Sequence, residues 1–238
     1  FDLHRSLAAT AFDRIPPTPD PPPLVTLCIT HYERPLLLPQ LLDSIQSQMY
    51  PAIEVVLVDD GSKSPEAVQR LAILEREYFA DPNWTMLRIN NSYLGEARNR
   101  AAAVARGAFV LFLDDDDVLK PHAVQTLIDV ATKTGASALS SWLDEFATDA
   151  NPLSTTLELP NRRSYWFLGQ SLATGMLWNS FGSGNIFVRK SVFDDVGGFS
   201  TYREVGGEDW EFYVRLALAG HEQLVVPEEL LYVRSDPS

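Results

Sequence analysis

The sequence predicts an α/β domain: a mostly parallel central sheet flanked by helices, Rossmann-like in outline, with a small mixed sub-sheet toward the C-terminus. Three observations carry this. Apolar runs rich in branched and aromatic residues alternate four times with stretches whose apolar residues recur at helical spacing. The runs are apolar without alternation, as in strands covered on both faces, which is the habit of parallel sheets. Two of them, 53–58 and 108–113, run straight into acids, Asp59-Asp60 and Asp114-Asp115-Asp116-Asp117. The carboxyl ends of strands are where open α/β sheets form a ligand crevice.

Residues 1–15 set Leu3, Leu7, Ala8 and Phe12 near one helical face, and 16–23, Pro-Pro-Thr-Pro-Asp-Pro-Pro-Pro, read as a stiff extended linker. The folded domain is therefore expected over 24–238, with 24–143 as one half and 144–238 as the other. Leu24 to Thr30 is the first strand. Leu37, Leu38, Leu41, Leu42 and Ile45 make a helix behind Pro35. Ile53 to Val58 is the second strand, and Pro65 opens a helix through Val68, Leu71, Ala72 and Leu74. Trp84 to Ile89 is the third strand, and Gly95 to Arg106 a helix stopped by Gly107. The strand 108–113 follows, then a helix from Pro121 to Gly135, then a strand from Ala136 to Trp142.

Beyond Trp142 the regularity fails. Residues 144–181 mix Pro, Asn, Ser and Thr with Tyr165, Trp166, Phe167, Trp178 and Phe181. That composition suits either a loop-built binding surface or the packing of a second sub-sheet. A strand from Gly184 to Arg189, a short helix from Ser191 to Val196, a helix from Glu208 to Ala219 capped by Gly220, and two short strands, Gln223 to Val226 and Leu230 to Val233, complete the expected elements.

With 238 residues and 45% hydrophobic content the chain can fill a sizeable core. Its net charge of −13 argues against nucleic acid or an anionic membrane as partner. No apolar run approaches the roughly 18 residues of a membrane span and no signal-peptide pattern is seen, so a cytoplasmic location is expected. The opening on Phe1 and the proline linker suggest a domain taken from a longer protein with other modules. The single cysteine, Cys28, excludes an internal disulfide and a cysteine metal site, and its place inside an apolar strand reads as packing.

Four adjacent carboxylates repel one another unless something binds them. At alternate positions, Asp114 and Asp116 would share one space and grip a hard divalent cation, Mn²⁺ or Mg²⁺, through oxygen. Capping of the helix after Pro121 is the plainer use, but one Asp would serve it. An EF-hand does not fit, since its sixth position would be Leu119 and its twelfth Gln125. Asp59-Asp60-Gly61-Ser62 brings a second acidic pair to the same edge, either to form the turn or to accept hydrogen bonds from a base or ribose. Arg98 and Asn99 in the first turn of a helix suit phosphate or nucleotide. His31, His122 and His221 have no partner at metal spacing and read as ordinary surface or strand-end residues.

Over residues 24–236 these pieces resemble the family 2 glycosyltransferases, which have the A-type glycosyltransferase fold. The resemblance rests on Val25-Thr26-Leu27-Cys28-Ile29-Thr30 followed by Arg34, on Val58-Asp59-Asp60-Gly61-Ser62, on Asn91 through Asn99, on Phe112 through Asp117 with Pro121, and on Gly207-Glu208-Asp209-Trp210-Glu211. It implies an inverting, metal-dependent transfer of a sugar from a nucleoside-diphosphate donor, by default a UDP-sugar, to a hydroxyl of a saccharide, lipid or protein acceptor. It places Thr30, Tyr32, Arg34, Asp60, Asn91, Arg98, Asp114 and Asp115 on the sugar nucleotide, and Asp114 and Asp116 as the Asp-x-Asp metal ligands. Asp209 becomes the catalytic base beside Glu208, which would also cap its helix. Family members often carry a metal-binding His after the last strand, where this chain has Asp236, a possible substitute oxygen ligand. A nucleotidyltransferase, a catalytically inactive sugar-nucleotide binder and a phospho-acceptor receiver domain are the alternatives. Against the nucleotidyltransferase stands the lack of a glycine-rich loop after the first strand, and against the receiver domain the lack of any Lys between Lys133 and Lys190; the inactive binder stays open.

Overall fold

The computed structural model describes residues 21–153, 162–202 and 206–235; the expected N-terminal helix, most of the linker and Asp236 lie outside them. Strands β1 (Val25–His31), β2 (Ile53–Asp59), β3 (Trp84–Arg88) and β4 (Phe109–Asp114) alternate with helices α1 (Leu38–Gln46), α2 (Pro65–Tyr78) and α3 (Leu94–Val104). Then come β5 (Val118–Leu119), α4 (Ala123–Thr134), β6 (Ala138–Phe146), β7 (Arg163–Tyr165), α5 (Leu172–Gly175), β8 (Phe187–Arg189), α6 (Lys190–Val196), α7 (Glu208–Leu218) and β9 (Gln223–Arg234). All nine strands join one sheet in the order β3-β2-β1-β4-β8-β6-β9-β5, with β7 on the edge of β6. The β3-β2-β1-β4 half is parallel, and the other half is mixed.

The sheet is covered on both faces, as its unbroken apolar strands require. Val25, Leu27 and Ile29 of β1 pack with Leu38, Leu41, Leu71 and Leu127 on one face. Cys28 turns to the other, among Ala97, Ala101, Phe112, Phe193 and Phe212, so it packs as expected. Register then fixes the crevice: Thr30 stands opposite Asp114, and His31 opposite Asp59.

Several elements differ from expectation. Pro39, inside the first turn of α1, takes the helix-starting role given to Pro35. The two C-terminal strands are one, β9. Pro227, which has no N–H to pair, falls where the register with β6 jumps from Val226 to Glu229, so the proline makes a bulge instead of a break. β6 runs on to Phe146, and β7 pairs with its end. Part of 144–181 is thus sub-sheet, while Tyr165, Trp166 and Trp178 stay largely exposed. No helix among the described residues is long and apolar enough to cross a membrane.

Candidate active site

A cavity of about 310 Å³ opens at the carboxyl ends of β1, β2 and β4. Thr30, Tyr32, Arg34, Asp60, Asn91 and Asp114, six of the residues expected on the sugar nucleotide, wall it, and Tyr93, Leu94 and Ala97 close it at the start of α3. Asp60 shapes one wall by holding the loop before α3. Its Oδ1 accepts from the Ser92 backbone N–H (2.7 Å) and hydroxyl (2.9 Å), and its Oδ2 from Tyr93 N–H (3.2 Å) and Asn91 Nδ2 (3.3 Å). Gly61 makes the loop's close approach possible: its φ is +80°, and a Cβ there would lie 2.6 Å from Asn91 N.

The four consecutive acids take different sets of partners, with Arg34 shared between Asp115 and Asp116. Asp114 accepts from Arg98 Nη2 at 2.9 Å and from the Thr30 hydroxyl at 3.3 Å. Asp115 is fully buried, with Oδ2 2.5 Å from His31 Nδ1 and Oδ1 2.6 Å from Arg34 Nη2. Asp116 meets Arg34 Nη1 at 2.6 Å. Asp117 accepts from the Asp114 N–H (2.8 Å) and from Asn185 Nδ2 (2.5 Å). Two expectations change here. Asp115 does not reach the cavity: it turns inward and orients Arg34 and His31. His31 is no surface residue, because its place opposite Asp59 sinks it beside Asp115 at 1% exposure. Strand alternation does not bring Asp114 and Asp116 together either. β4 ends at Asp114, and a turn closed by Asp117 N–H on the Asp114 carbonyl (3.2 Å) carries Asp116.

Charge behaves accordingly. Burial pushes the Asp116 carboxyl above the ordinary range; Arg34 opposes this, while Asp115 and Asp114 add to it. Burial, helped by the neighbouring Asp114, lifts Asp117 well above it.

Glu208 and Asp209 open α7 behind Gly207, whose φ is +70°. Glu208 turns back into the site, taking Arg98 Nη1 at 2.9 Å and the Tyr93 hydroxyl at 3.3 Å. Arg98 is thus a buried bridge from β4 to α7. Asp209 accepts from the Trp210 N–H at 2.8 Å. Burial raises its carboxyl, with the Arg98 charge pulling it down and Glu208 pushing it up. Beyond it, an apolar cavity of about 600 Å³ lined by Met176, Trp210, Val214 and Leu218 runs along α7.

Among the described residues no three His, Cys, Asp or Glu side chains converge as a ready cation cage. Two carboxylates completed by water and substrate phosphate are nonetheless a usual way to hold Mg²⁺ or Mn²⁺. Asp114 and Asp116 fit it: the contacts named above use one oxygen of each, and the donors are hard. Sequence reasoning missed His31, Tyr93, Asn185 and Arg234 as site neighbours. Only His31 carried a signal, as the residue next to Thr30 on a strand paired with β4. The others arrive through tertiary packing.

A family model described as glycosyl transferase family 2 matches residues 26–197, and one described as N-terminal domain of galactosyltransferase matches 173–234. The O-antigen biosynthesis protein RfbC of Myxococcus xanthus is 28% identical over 211 residues, 83% of this chain and 16% of RfbC. The structure of S. aureus TarS in complex with UDP-GlcNAc matches with a TM-score of 0.70 at 21% identity, over 90% of this chain and 59% of that one. Mannosyltransferase PcManGT from Pyrobaculum calidifontis, in complex with GDP-Man and Mn²⁺, matches with a TM-score of 0.64 at 21% identity, over 97% of this chain and 64% of that one. The chain spans about half the length of such curated relatives or less. The structural likeness shows the A-type glycosyltransferase fold, and the match over residues 26–197 shows the family: this chain belongs to glycosyl transferase family 2.

Proposed function

We propose that this domain moves a glycosyl unit from a nucleoside-diphosphate sugar, a UDP-sugar by default, to an acceptor hydroxyl with inversion, in polysaccharide or glycoconjugate synthesis. The acceptor belongs to the saccharide, lipid or protein class. One observation carries the reading: the buried Arg98 guanidinium joins Asp114 at the end of β4 to Glu208, the neighbour of Asp209. The acid on the donor's side, Asp114, is thereby tied through one arginine to the residue next to the acid on the acceptor's side, Asp209. The complexes of TarS with UDP-GlcNAc and of PcManGT with GDP-Man and Mn²⁺ support it.

Asp60, Asn91 and Tyr93 shape the nucleoside cavity, and Thr30 holds the Asp114 carboxylate. Arg34 lies over the acid cluster, where its guanidinium can turn to a phosphate. Asp114 and Asp116 are the residues that would hold Mn²⁺ or Mg²⁺, and a cation bound there supplies neutralisation of the charge growing on the leaving diphosphate. The acceptor oxygen attacks the anomeric carbon from the face opposite the diphosphate. Its proton passes to Asp209, whose raised affinity for protons makes it a better base than an exposed aspartate. Glu208, tied to Arg98, keeps the start of α7 in place.

The test is titration of UDP and GDP with and without Mn²⁺ or Mg²⁺, followed by turnover of the matching sugar nucleotides. Asp116→Asn should abolish metal-dependent binding, while Asp209→Asn should bind as wild type and lose turnover. The acid limb of wild-type kcat should lie above the ordinary aspartate range. Equal binding in EDTA would remove the cation from the account, and full turnover by Asp209→Asn would remove the base.

A further inference from the structure

The apolar cavity of about 600 Å³ along α7 is a groove with a direction. Gly207, Trp210, Val214 and Leu218 recur every three or four residues, so one stripe of the helix lines it from the first turn to the last, a run on the order of 16 Å. Gly175 and Met176, at the end of α5, add to its wall. Met176 and Leu218 are 65% and 66% exposed, a large apolar area to leave in water. Asp209 stands between Gly207 and Trp210, so the groove begins beside the proposed base.

Three polar side chains line this wall, Trp210, Glu211 and Arg215, and all are already partnered. Trp210 Nε1 donates to the Gly175 carbonyl. Glu211 takes Arg215 through both carboxylate oxygens, and Arg215 also donates to the Val196 and Gly198 carbonyls. The two charges cancel, and the hydrogen bonds are made within the fold. A saccharide lying here would give up its water without gaining partners, which is unfavourable. Hydrocarbon has no such loss, and it would cover the exposed methionine and leucine. The net charge of −13 opposes an anionic bilayer, but it does not oppose a neutral chain drawn into this groove.

We propose that the groove holds the hydrocarbon part of a lipid-linked acceptor, with the polar end that carries the reacting hydroxyl beside Asp209. This rests on the glycosyl-transfer reading of the adjoining site and assigns its acceptor to the lipid class. Continuity selects the occupant: groove and base share the first turn of α7, so a chain lying along the stripe ends at the residue that takes the acceptor's proton.

The experiment is calorimetric titration of methyl, hexyl, octyl and decyl glucoside, each below its micelle-forming concentration. The proteins are wild type, a double variant carrying Met176→Gln and Leu218→Gln, and Met176→Leu. Affinity should rise about twofold per methylene, as for a chain half enclosed, giving about 100-fold between methyl and octyl. The heat-capacity change should be negative, the mark of apolar burial. Both substituted side chains are largely exposed, so the fold is kept; the double variant should lose about tenfold in octyl affinity, and Met176→Leu should retain it. Octyl glucoside should also change sugar-nucleotide turnover, as acceptor or as inhibitor, where methyl glucoside at the same concentration does not. Equal binding of methyl and octyl glucoside, octyl affinity untouched in the double variant, or binding without effect on turnover would overturn the assignment. So would a dimer that the double variant dissolves, which gives the groove to a second copy, or tighter octyl binding after removal of residues 1–15, which gives it to the chain's own N-terminal segment. A protein that takes octyl glucoside in the groove but neither binds nor turns over any sugar nucleotide would overturn the transferase reading instead.

Discussion

Arg98→Met tests the array most directly, because Arg98 is 2% exposed and both its ion pairs cross between elements. Methionine fills much of the same space against Phe199, whose ring lies 5.4 Å from the guanidinium carbon, so the substitution removes charge more than volume. Glu208, with 11% of its side chain exposed, is left with the Tyr93 hydroxyl, while Asp114, at 34%, can turn to water. Removing one partner of a buried pair costs about 3–5 kcal/mol, and the water open to Asp114 places this case near 3. For a chain of this size each kcal/mol lowers the melting midpoint by roughly 2–4 °C, giving a fall of about 6–12 °C by calorimetry. Adding Glu208→Gln should restore part of the loss, since it removes the stranded charge. Arg98 also pulls the Asp209 carboxyl downward, so its removal should move the acid limb of kcat to higher pH. A wild-type midpoint for Arg98→Met, or a double variant no more stable than the single one, would refute the bridge.

Asp60→Asn puts an amide N–H where Asp60 now accepts from Ser92 or Tyr93. The loop before α3 should lose about 1–3 kcal/mol of local stability, read as faster amide exchange at Ser92 and Tyr93 and roughly tenfold weaker UDP binding. Gly61→Ala should cost about 3 kcal/mol or more of stability, read as a lower urea midpoint at constant m, because left-handed strain joins a backbone collision at Asn91. Gly135→Ala, with φ +76° and nothing within 4 Å, should lose only the conformational part, about 1–2 kcal/mol. For Glu54, burial raises the carboxyl, but hydrogen bonds from Thr26 and Arg106 outweigh it and hold the group below its ordinary 4.5. Its stabilisation is therefore present above that value and lost as pH falls through the lowered native one. Glu54→Gln should be less stable than wild type at pH 7, and the gap should close in acid.

The parallel half was legible because each strand carries its own signal: unbroken apolar residues, a turn residue at each end, and a helical repeat between. The mixed half was not. β5 has two residues and β7 three, and both exist only because the ends of β9 and β6 offer open ladder positions. Pro227 looked like a strand boundary because chain-local rules give proline no place in a ladder, yet a bulge accommodates it. The site divided along the same line. Thr30, Asp60, Asn91 and Asp114 stand at strand ends or just beyond, where the register of neighbouring parallel strands sets them side by side. Arg234, 200 residues after Arg34 in the chain, reaches the same edge only through the closure of β9 on β6.

The run Asp114 to Asp117 shows why residue type locates a site more readily than it assigns roles. As a string, the four acids are equivalent, and strand periodicity would pair the first with the third. The strand stops at the first acid, however, so the other three are directed by a turn, and what each faces is decided elsewhere in the chain: His31 at the end of β1 and Arg34 beyond it, Arg98 on α3, Asn185 before β8. Only Asp114 and Asp116 keep access to solvent, while Asp115 and Asp117 are 0% and 2% exposed. Four acids can therefore stand side by side because two are bonded inside the fold, Asp115 to a histidine and an arginine, and Asp117, whose burial favours its protonated form, to an asparagine and a backbone N–H. Neutralising an inner member should loosen the turn that presents the outer pair, whereas neutralising an outer member should leave the turn intact and cost ligand affinity alone.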